Sequence, residues 1–454
     1  MIHRKADITV SRYSDRRIRL GLLTNPPGNS LPGELRPDDV RHPGRVFDYY
    51  AALAQTVEKA RFDVLFAADG LTSDTELGTK PEPITLFSAL AAVTQNIGLV
   101  PTASTTFTEP FNLARQLQSL DHLSGGRVGW NAVTSAAGEK NFGDTPLPAH
   151  EDRYRQGLEH VSVVSALWDS WADNGSTEAI DHRGEFYSVQ GPLPLPRSRQ
   201  GRPVLFQAGS SSDGTTFASQ FAEGVYTAQQ TLRGAQSFYR ELKAKTAAAG
   251  RDPRNILVLP GVSTTIGGTE EEALRIDDEM FDAGFTPASL TALQGQLAGV
   301  DLSGIGLDDR IPRALLPPVE SVQGRQSRYG VFRELAVDEG LTVRELVKVQ
   351  QRSAGHGRAV GSPEQVADRL VRWFEERGAD GYIVMPGQGA GGVEAFTEHV
   401  VPILQKRGVF RTDYESDTLR GNLGLPSARS HESVPLYAAA SSSILSAPGK
   451  GSSS

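Results

Sequence analysis

Cysteine is absent from the 454 residues, and methionine and tryptophan are scarce, at three and four. A chain without cysteine forms no disulfide, offers no thiolate to a metal and has no cysteine nucleophile. Long apolar runs are also missing: nothing approaches the roughly 18 residues that span a bilayer. The first twenty residues, "MIHRKADITVSRYSDRRIRL", lack the apolar centre of a secretory signal, so a cytoplasmic protein is expected. Basic charge is in deficit, with 46 Lys and Arg against 54 Asp and Glu and a net charge of −8. That balance speaks against a nucleic-acid or membrane-surface partner. Among nine histidines there is no H-E-x-x-H, since His150-Glu151 lacks the second histidine, and no metal site is expected. The G-x-S-x-G elbow of many serine hydrolases is absent too.

What is present is alternation. Eight short apolar runs read as strands: Ile18–Thr24, Asp63–Ala68, Ile97–Ala103, Arg127–Val133, Pro203–Gln207, Gly224–Thr227, Ile256–Thr265 and Gly381–Met385. Between them lie segments of helical periodicity, such as 46–60, 83–96, 109–124 and 152–171. Strands alternating with helices imply parallel pairing through right-handed crossovers. Eight units predict an α/β fold, a (β/α)8 barrel with insertions, with an open doubly wound sheet as the alternative. The expected organisation is one barrel domain over 1–426 and a flexible Ser- and Ala-rich tail over 427–454. Two stretches break the pattern. Residues 172–202 read as a small hairpin with a proline-rich connection, and 285–361 as a long insertion, either a lid or packing decoration.

In such a barrel the chemistry sits at the C-terminal ends of the strands. Strand two is followed by Asp69, and strand three by Ser104, Thr105 and Thr106. The fourth carries Asn131 and ends at Thr134 and Ser135, and the fifth runs into "QAGSSSDG", residues 207–214. One polar residue at a strand end is ordinarily a cap; four successive ends suit a polar heteroaromatic ligand lying across the mouth. Gly209, Ser210 and Ser211 lead into a helix, where backbone amides and hydroxyls form an anion site. The plain alternative is an N-cap by Ser211, Ser212 or Asp213. The "HEDRY" segment opens another helix with His150, Arg153 and Tyr154, groups that could close on a phosphate or substrate. His356, in "SAGHGRAVG", is either a surface loop residue or a polar group over the site. "GQGAGG", residues 387–392, matches G-x-G-x-x-G, yet no further strand completes a dinucleotide-binding unit. A barrel glycosidase would need a second carboxylate to partner Asp69, and none stands out.

Five blocks carry a resemblance: "FDVLFAADG", "STTFTEPFNLARQLQSLDHLSGGRVGWNAVTS", "KNFGDTPLPAHEDRY", "PVLFQAGSSSDGTTFA" and "VVPILQKRGVFRTDYESDTLRGNLGLP". Over residues 17–426 the chain resembles the nitrilotriacetate and dibenzothiophene-sulfone monooxygenase family, a branch of the bacterial-luciferase-like flavin monooxygenases. The resemblance implies a barrel enzyme that receives reduced FMN from a separate NAD(P)H:flavin reductase and uses O2 to place one oxygen on a small organic substrate. By matching position, Asp69, Thr105 or Thr106, Asn131, Thr134 and Ser135 would surround the flavin ring and ribityl chain. Tyr154, Gly209, Ser210 and Ser211, with His150 beside them, would hold its phosphate. His356 would then be the catalytic candidate, facing an anionic flavin oxygen or the substrate. Asn29 and Ser30 stand where many relatives have a histidine, Arg41-His42-Pro43 is kept, and Ala136 is small where some carry histidine. The implied reaction is oxygenation at or next to N or S with C–N or C–S cleavage, in a homodimer or homotetramer. An F420-dependent oxidoreductase and a non-catalytic flavin-binding barrel are the other readings.

Overall fold

Each apolar run expected as a strand forms one. The computed structural model describes residues 16–24, 46–72, 81–135, 137–143, 146–322, 326–387 and 390–428. The strands are β1 (Arg19–Leu23), β2 (Val64–Ala67), β3 (Gly98–Ser104), β4 (Gly129–Val133), β5 (His182–Arg183), β6 (Ser188–Val189), β7 (Val204–Ala208), β8 (Gly224–Thr227), β9 (Leu257–Ile266), β10 (Gly357–Gly361) and β11 (Gly381–Pro386). Parallel pairing runs β1-β2-β3-β4-β7-β8-β9-β11, and β11 returns to β1 with Gly381 opposite Arg19, which closes an eight-stranded barrel. β5 and β6 form the small antiparallel hairpin expected within 172–202. β10 was not expected. It pairs with Val262–Ile266 of β9, beyond Leu257–Pro260, where β9 lies against β8.

The helices are α1 (Val46–Lys59), α2 (Pro83–Ala91), α3 (Pro110–Leu123), α4 (His150–Trp168), α5 (Ser212–Phe221), α6 (Leu232–Ala248), α7 (Glu270–Gly284), α8 (Pro287–Gln296), α9 (Gln326–Val337), α10 (Val343–Ser353) and α11 (Pro363–Glu375). α2, α3 and α11 begin at proline, whose missing N–H is no loss in a first helical turn. The turn from α3 into β4 needs left-handed backbone at Gly125 (φ 75°) and Gly126 (φ 90°). Arg127 then locks it. Its buried guanidinium donates to the carbonyls of Ala91, Thr94, Ile97 and Ser124 and to the Thr94 hydroxyl. This arrangement aims β4 at the mouth of the barrel.

Alternate residues of each strand face inward. Val64, Phe66, Val100, Val204, Phe206, Leu259 and Ile383 fill the interior, while Leu65, Leu99, Trp130 and Tyr382 pack under the helices. Leu419, Leu423 and Leu425 belong to the interior cluster and plug its N-terminal end. In the segment that carries them, the Arg411 guanidinium meets Asp63 at 2.6 Å, Arg420 is paired with Glu223, and the Tyr414 hydroxyl donates to the Phe62 carbonyl at 2.8 Å. The "FRTDYESDTLRGNLGL" block is therefore the floor of the barrel, remote from the mouth.

The stretch 285–361 is no structureless loop: it holds α8, α9, α10 and β10. Its helices share an apolar cluster of their own with Phe281, Leu293, Leu297, Leu302, Ile311, Phe332, Leu346 and Val347. Ala428, assigned from sequence to the tail, is buried and its carbonyl accepts from Arg197; residues 429–454 lie outside the described residues. Among the described residues no helix is long and apolar enough to cross a membrane.

Candidate active site

At the C-terminal end of β3 and β4, polar side chains take over from the apolar interior. Thr102 and Asn131 are partners in strand register, and the Asn131 amide donates to the Thr102 hydroxyl at 2.7 Å. The Asn131 carbonyl oxygen is buried with no hydrogen-bond partner among the described residues. Ser135 donates to the Ser104 hydroxyl at 2.7 Å, and the same oxygen accepts from the amides of Thr106 (3.1 Å) and Phe107 (3.3 Å). The Thr106 hydroxyl is also buried and unpartnered among the described residues. Thr105 is committed internally: its amide and hydroxyl both donate to the Val133 carbonyl, at 2.9 and 3.2 Å. Its own carbonyl accepts from the Tyr187 hydroxyl at 3.2 Å. Asp69, half-buried, accepts from the Gly70 amide at 2.9 Å. A buried polar atom left unpaired costs about 1–3 kcal/mol, which makes Asn131 and Thr106 candidate ligand contacts.

A second corner forms where α4 and α5 begin. Ser211 is the N-cap of α5 and accepts from the Gly214 amide at 3.0 Å, which settles the choice among Ser211, Ser212 and Asp213. The Tyr154 hydroxyl is hydrogen-bonded to the side chains of Ser211 and Thr134. Burial raises the Tyr154 phenol above its ordinary value, and Asp213 adds to this, so it stays a neutral donor. A Cβ at Gly214 would stand 3.0 Å from the Ser211 oxygen and 3.6 Å from the Tyr154 oxygen, filling the hollow between them. Gly209 donates to the Tyr226 carbonyl at 3.2 Å, and Ser210 shares a hydrogen bond with Thr227 at 2.8 Å. His150 lies 3.5 Å from the Asp213 carboxylate, with its ring edge-on to Tyr154 at 5.0 Å. Arg153 gives one nitrogen to the Pro148 carbonyl at 2.8 Å, while its Nε is buried without a partner among the described residues. Asp152 does not cap α4; Ala149 occupies that position and Asp152 pairs with Arg155 at 2.6 Å.

The third group joins β8 to the insertion. His356 is 5 % exposed rather than a surface loop residue. Its Nε2 lies 3.0 Å from the Tyr226 hydroxyl and 3.2 Å from Arg328 Nη2, and its ring stacks on Tyr226 at 4.8 Å. Burial, and then Arg328, push the imidazole well below its ordinary pKa, so it is neutral. Tyr226 faces the barrel interior beside Phe66 and can also donate to Met385 Sδ at 3.4 Å.

The structure thus gathers Thr105, Thr106, Asn131, Thr134 and Ser135 on β3 and β4. Tyr154, His150 and Ser211 meet at the α4–α5 corner, with Gly209 and Ser210 leading into it. His356 is connected to that corner through Tyr226, whose backbone pairs with Gly209. Asp69 follows β2 at the same end of the barrel. Thr102, Tyr226, Tyr187 and Arg328 were not anticipated. Thr102 carried a usable signal, lying two residues before Ser104 on the same strand face; Arg328 carried none. Asn29, Ser30, Arg41-His42-Pro43 and Ala136 lie outside the described residues. Gly387, at the start of "GQGAGG", follows the strand that closes the barrel and donates to the Thr264 carbonyl at 2.9 Å; residues 388–389 lie outside the described residues.

Residues 28–381 match the sequence profile described as luciferase-like monooxygenase. The chain is 41% identical over 430 residues to N-acetyl-S-(2-succino)cysteine monooxygenase of Bacillus subtilis (strain 168), covering 90% of this chain and 97% of the relative. It is 38% identical to nitrilotriacetate monooxygenase component A of Aminobacter aminovorans, over 93% and 99% of the two chains. Among solved structures, riboflavin lyase with modified FMN and riboflavin superposes with a TM-score of 0.77 at 30% identity, covering 91% of this chain and 97% of that one.

Proposed function

The chain belongs to the luciferase-like monooxygenase family, and from that premise we propose that it is the oxygenase component of a two-component system. It takes up reduced FMN made by a separate NAD(P)H:flavin reductase and oxygenates a small organic molecule at or next to N or S, with C–N or C–S cleavage. The observation that carries the flavin assignment is the pair of buried oxygens without partners among the described residues, Asn131 Oδ1 and Thr106 Oγ1, side by side on the adjoining β3 and β4 side of the barrel mouth. A tricyclic ring edged with N–H and carbonyl groups supplies partners for both. The α4–α5 corner fits its phosphate: Tyr154 and Ser211 offer hydroxyls, the first turn of α5 offers amides, and Arg153 adds positive charge. His150 screens the Asp213 carboxylate that would otherwise repel it. Reduced FMN, when bound there, would activate O2 and supply one oxygen atom.

The chain's own work is to hold, orient and enclose. Thr105 ties β3 to β4 and keeps Thr106 pointing at the ligand space. Ser104 and Ser135 fix the loops after those strands. Asp69, Thr134, Gly209 and Ser210 complete the wall. His356, neutral and buried, is the proposed catalytic group on the substrate side, reached through its contact with Tyr226. The helices of the insertion bring Arg328 over that contact and exclude water, which protects a reactive flavin from wasteful decay. The named relatives support the reaction class, since one acts on a thioether and another on a tertiary amine.

The test is isotopic. The purified protein is supplied with FMN, NADH, a flavin reductase and 18O2, and offered N-acetyl-S-(2-succino)cysteine, nitrilotriacetate and a panel of sulfones and thioethers. One atom of 18O in a product of C–N or C–S cleavage is the expected outcome. Flavin oxidation with no labelled product across the panel would reject the proposed reaction class.

A further inference from the structure

We propose that Met385 is a modification site: when reduced FMN and O2 are consumed with no substrate in place, its thioether takes the oxygen atom and becomes a sulfoxide. The inference rests on reading the barrel mouth as the place where reduced FMN and O2 meet. The chain has three methionines, Met1, Met280 and Met385. Met280 is buried on α7, with its sulfur 3.3 Å from Arg352 Nη2. Met385 stands in the barrel instead, and the alternation of strand residues places it. Val100, Phe206 and Ile383 belong to the interior cluster, and a Cβ at Gly129 or Gly224 would meet the Phe206 ring, so all five positions face inward. Two residues nearer the mouth on β3, β4, β8 and β11, the inward positions are Thr102, Asn131, Tyr226 and Met385. Tyr226 and Met385 pack on the interior cluster and are only partly buried. The Met385 sulfur thus belongs to the layer that holds the Asn131 carbonyl oxygen, the proposed flavin contact.

Its surroundings hold the sulfur in place without using it up. The Tyr226 hydroxyl reaches Sδ at 3.4 Å, and the Tyr226 ring is itself fixed, stacked on His356 at 4.8 Å and tilted against Phe66 at 5.4 Å. Gly261 makes room for this packing, since a Cβ there would come 2.9 Å from the Tyr226 ring. Ser263, the strand-register partner of Met385, gives its hydroxyl to the Arg352 carbonyl at 2.7 Å. A thioether is a weak acceptor, so the Tyr226 contact leaves the sulfur a nucleophilic lone pair. That is the functional group which oxygenation at sulfur requires of a substrate. The step consumes one reduced FMN and one O2. One oxygen atom bonds to the sulfur lone pair, and the other leaves as water with the two hydrogens given up by the reduced flavin. Flavin and sulfur each lose two electrons, and no carbon–sulfur bond breaks. The sulfoxide oxygen is a far better acceptor than the thioether and would draw the Tyr226 hydroxyl away from His356. Substrate-free turnover is thereby recorded in the site itself, and enzymatic reduction of the sulfoxide is the reaction that restores it.

Peptide mass spectrometry after substrate-free turnover tests this. The full chain is incubated with FMN, NADH, a flavin reductase, 18O2 and catalase, which removes free hydrogen peroxide, and is then digested. Binding of reduced FMN is measured anaerobically on the same preparation. One atom of 18O on Met385 and none on Met280 is the expected result. Y154F/S211A, assayed at a flavin concentration that fills only the wild type, should lose the label. Equal labelling of Met280 and Met385, or label on Met385 that persists in Y154F/S211A, would show a diffusible oxidant and overturn the proposal. A wild type that binds reduced FMN and consumes O2 yet leaves Met385 unlabelled overturns this inference only. A wild type that binds no reduced FMN removes the reading beneath it, and this inference with it.

Discussion

Thr105 and Thr106 are neighbours with the same side chain and opposite commitments. The first spends its hydroxyl on the Val133 carbonyl; the second keeps a buried hydroxyl with no partner among the described residues. Replacing each by valine preserves shape and removes only the hydroxyl. T106V should raise the dissociation constant for FMN by about fivefold to thirtyfold, the worth of one buried hydrogen bond. T105V should leave it within about threefold and lower thermal stability instead. Titration of both variants by flavin fluorescence checks this, and equal effects would show that Thr106 does not face the flavin. At this scale the sequence was readable where a residue type was out of place. Asn131 in an apolar strand and a Ser-rich turn before a helix are visible without coordinates. Tyr226 was not, because a tyrosine suits any strand, and only the phase of the barrel shows which face it occupies.

The strands were legible because a barrel buries both faces of each one, leaving short apolar runs bounded by polar turns. β10 escaped because "GRAVG" is short, rich in glycine and added to an already complete barrel. The insertion itself was expected at 285–361, but its helices escaped for a related reason: the glycines of 295–306 interrupt the apolar period between α8 and α9. α10 did carry a signal, the Thr342–Glu345 capping box ahead of an amphipathic run. What fastens α10 to the barrel is Asp277 of α7. Its buried carboxylate meets Lys348 and Arg352 of α10, at 2.9 and 3.4 Å, and Arg358 of β10. Burial alone would raise this carboxyl, but Arg358 and Lys348 outweigh it and hold it at about 2. A carboxyl depressed in the fold stabilises above its unfolded value, near 3.8, and the contribution fades as pH falls toward 2. D277N should therefore cost about 3–5 kcal/mol at neutral pH, the loss expected when buried cations lose their partner. Its deficit relative to wild type should shrink below pH 3.8. Chemical denaturation across pH, with proteolysis as a monitor of α8–α10, measures both. A deficit independent of pH in the acid range would place the clasp elsewhere.

Taken whole, the molecule divides its labour between the two ends of one barrel. The N-terminal end is sealed by leucines and by the buried pairs Arg411–Asp63 and Arg420–Glu223. The C-terminal mouth holds buried polar atoms without partners among the described residues and the α4–α5 corner proposed for the phosphate. Such asymmetry is what a ligand-binding barrel requires, and it explains why the block at 410–425, although specific in sequence, belongs to stability and the strand ends to function. The claim on which the rest depends is that this mouth binds reduced FMN. Anaerobic calorimetric titration of the wild type and of the double variant Y154F/S211A measures it most directly. The account predicts saturable binding of reduced FMN, tighter than that of oxidised FMN and weakened at least roughly tenfold in the variant. Binding of reduced F420 in place of reduced FMN, or binding of neither, would contradict it.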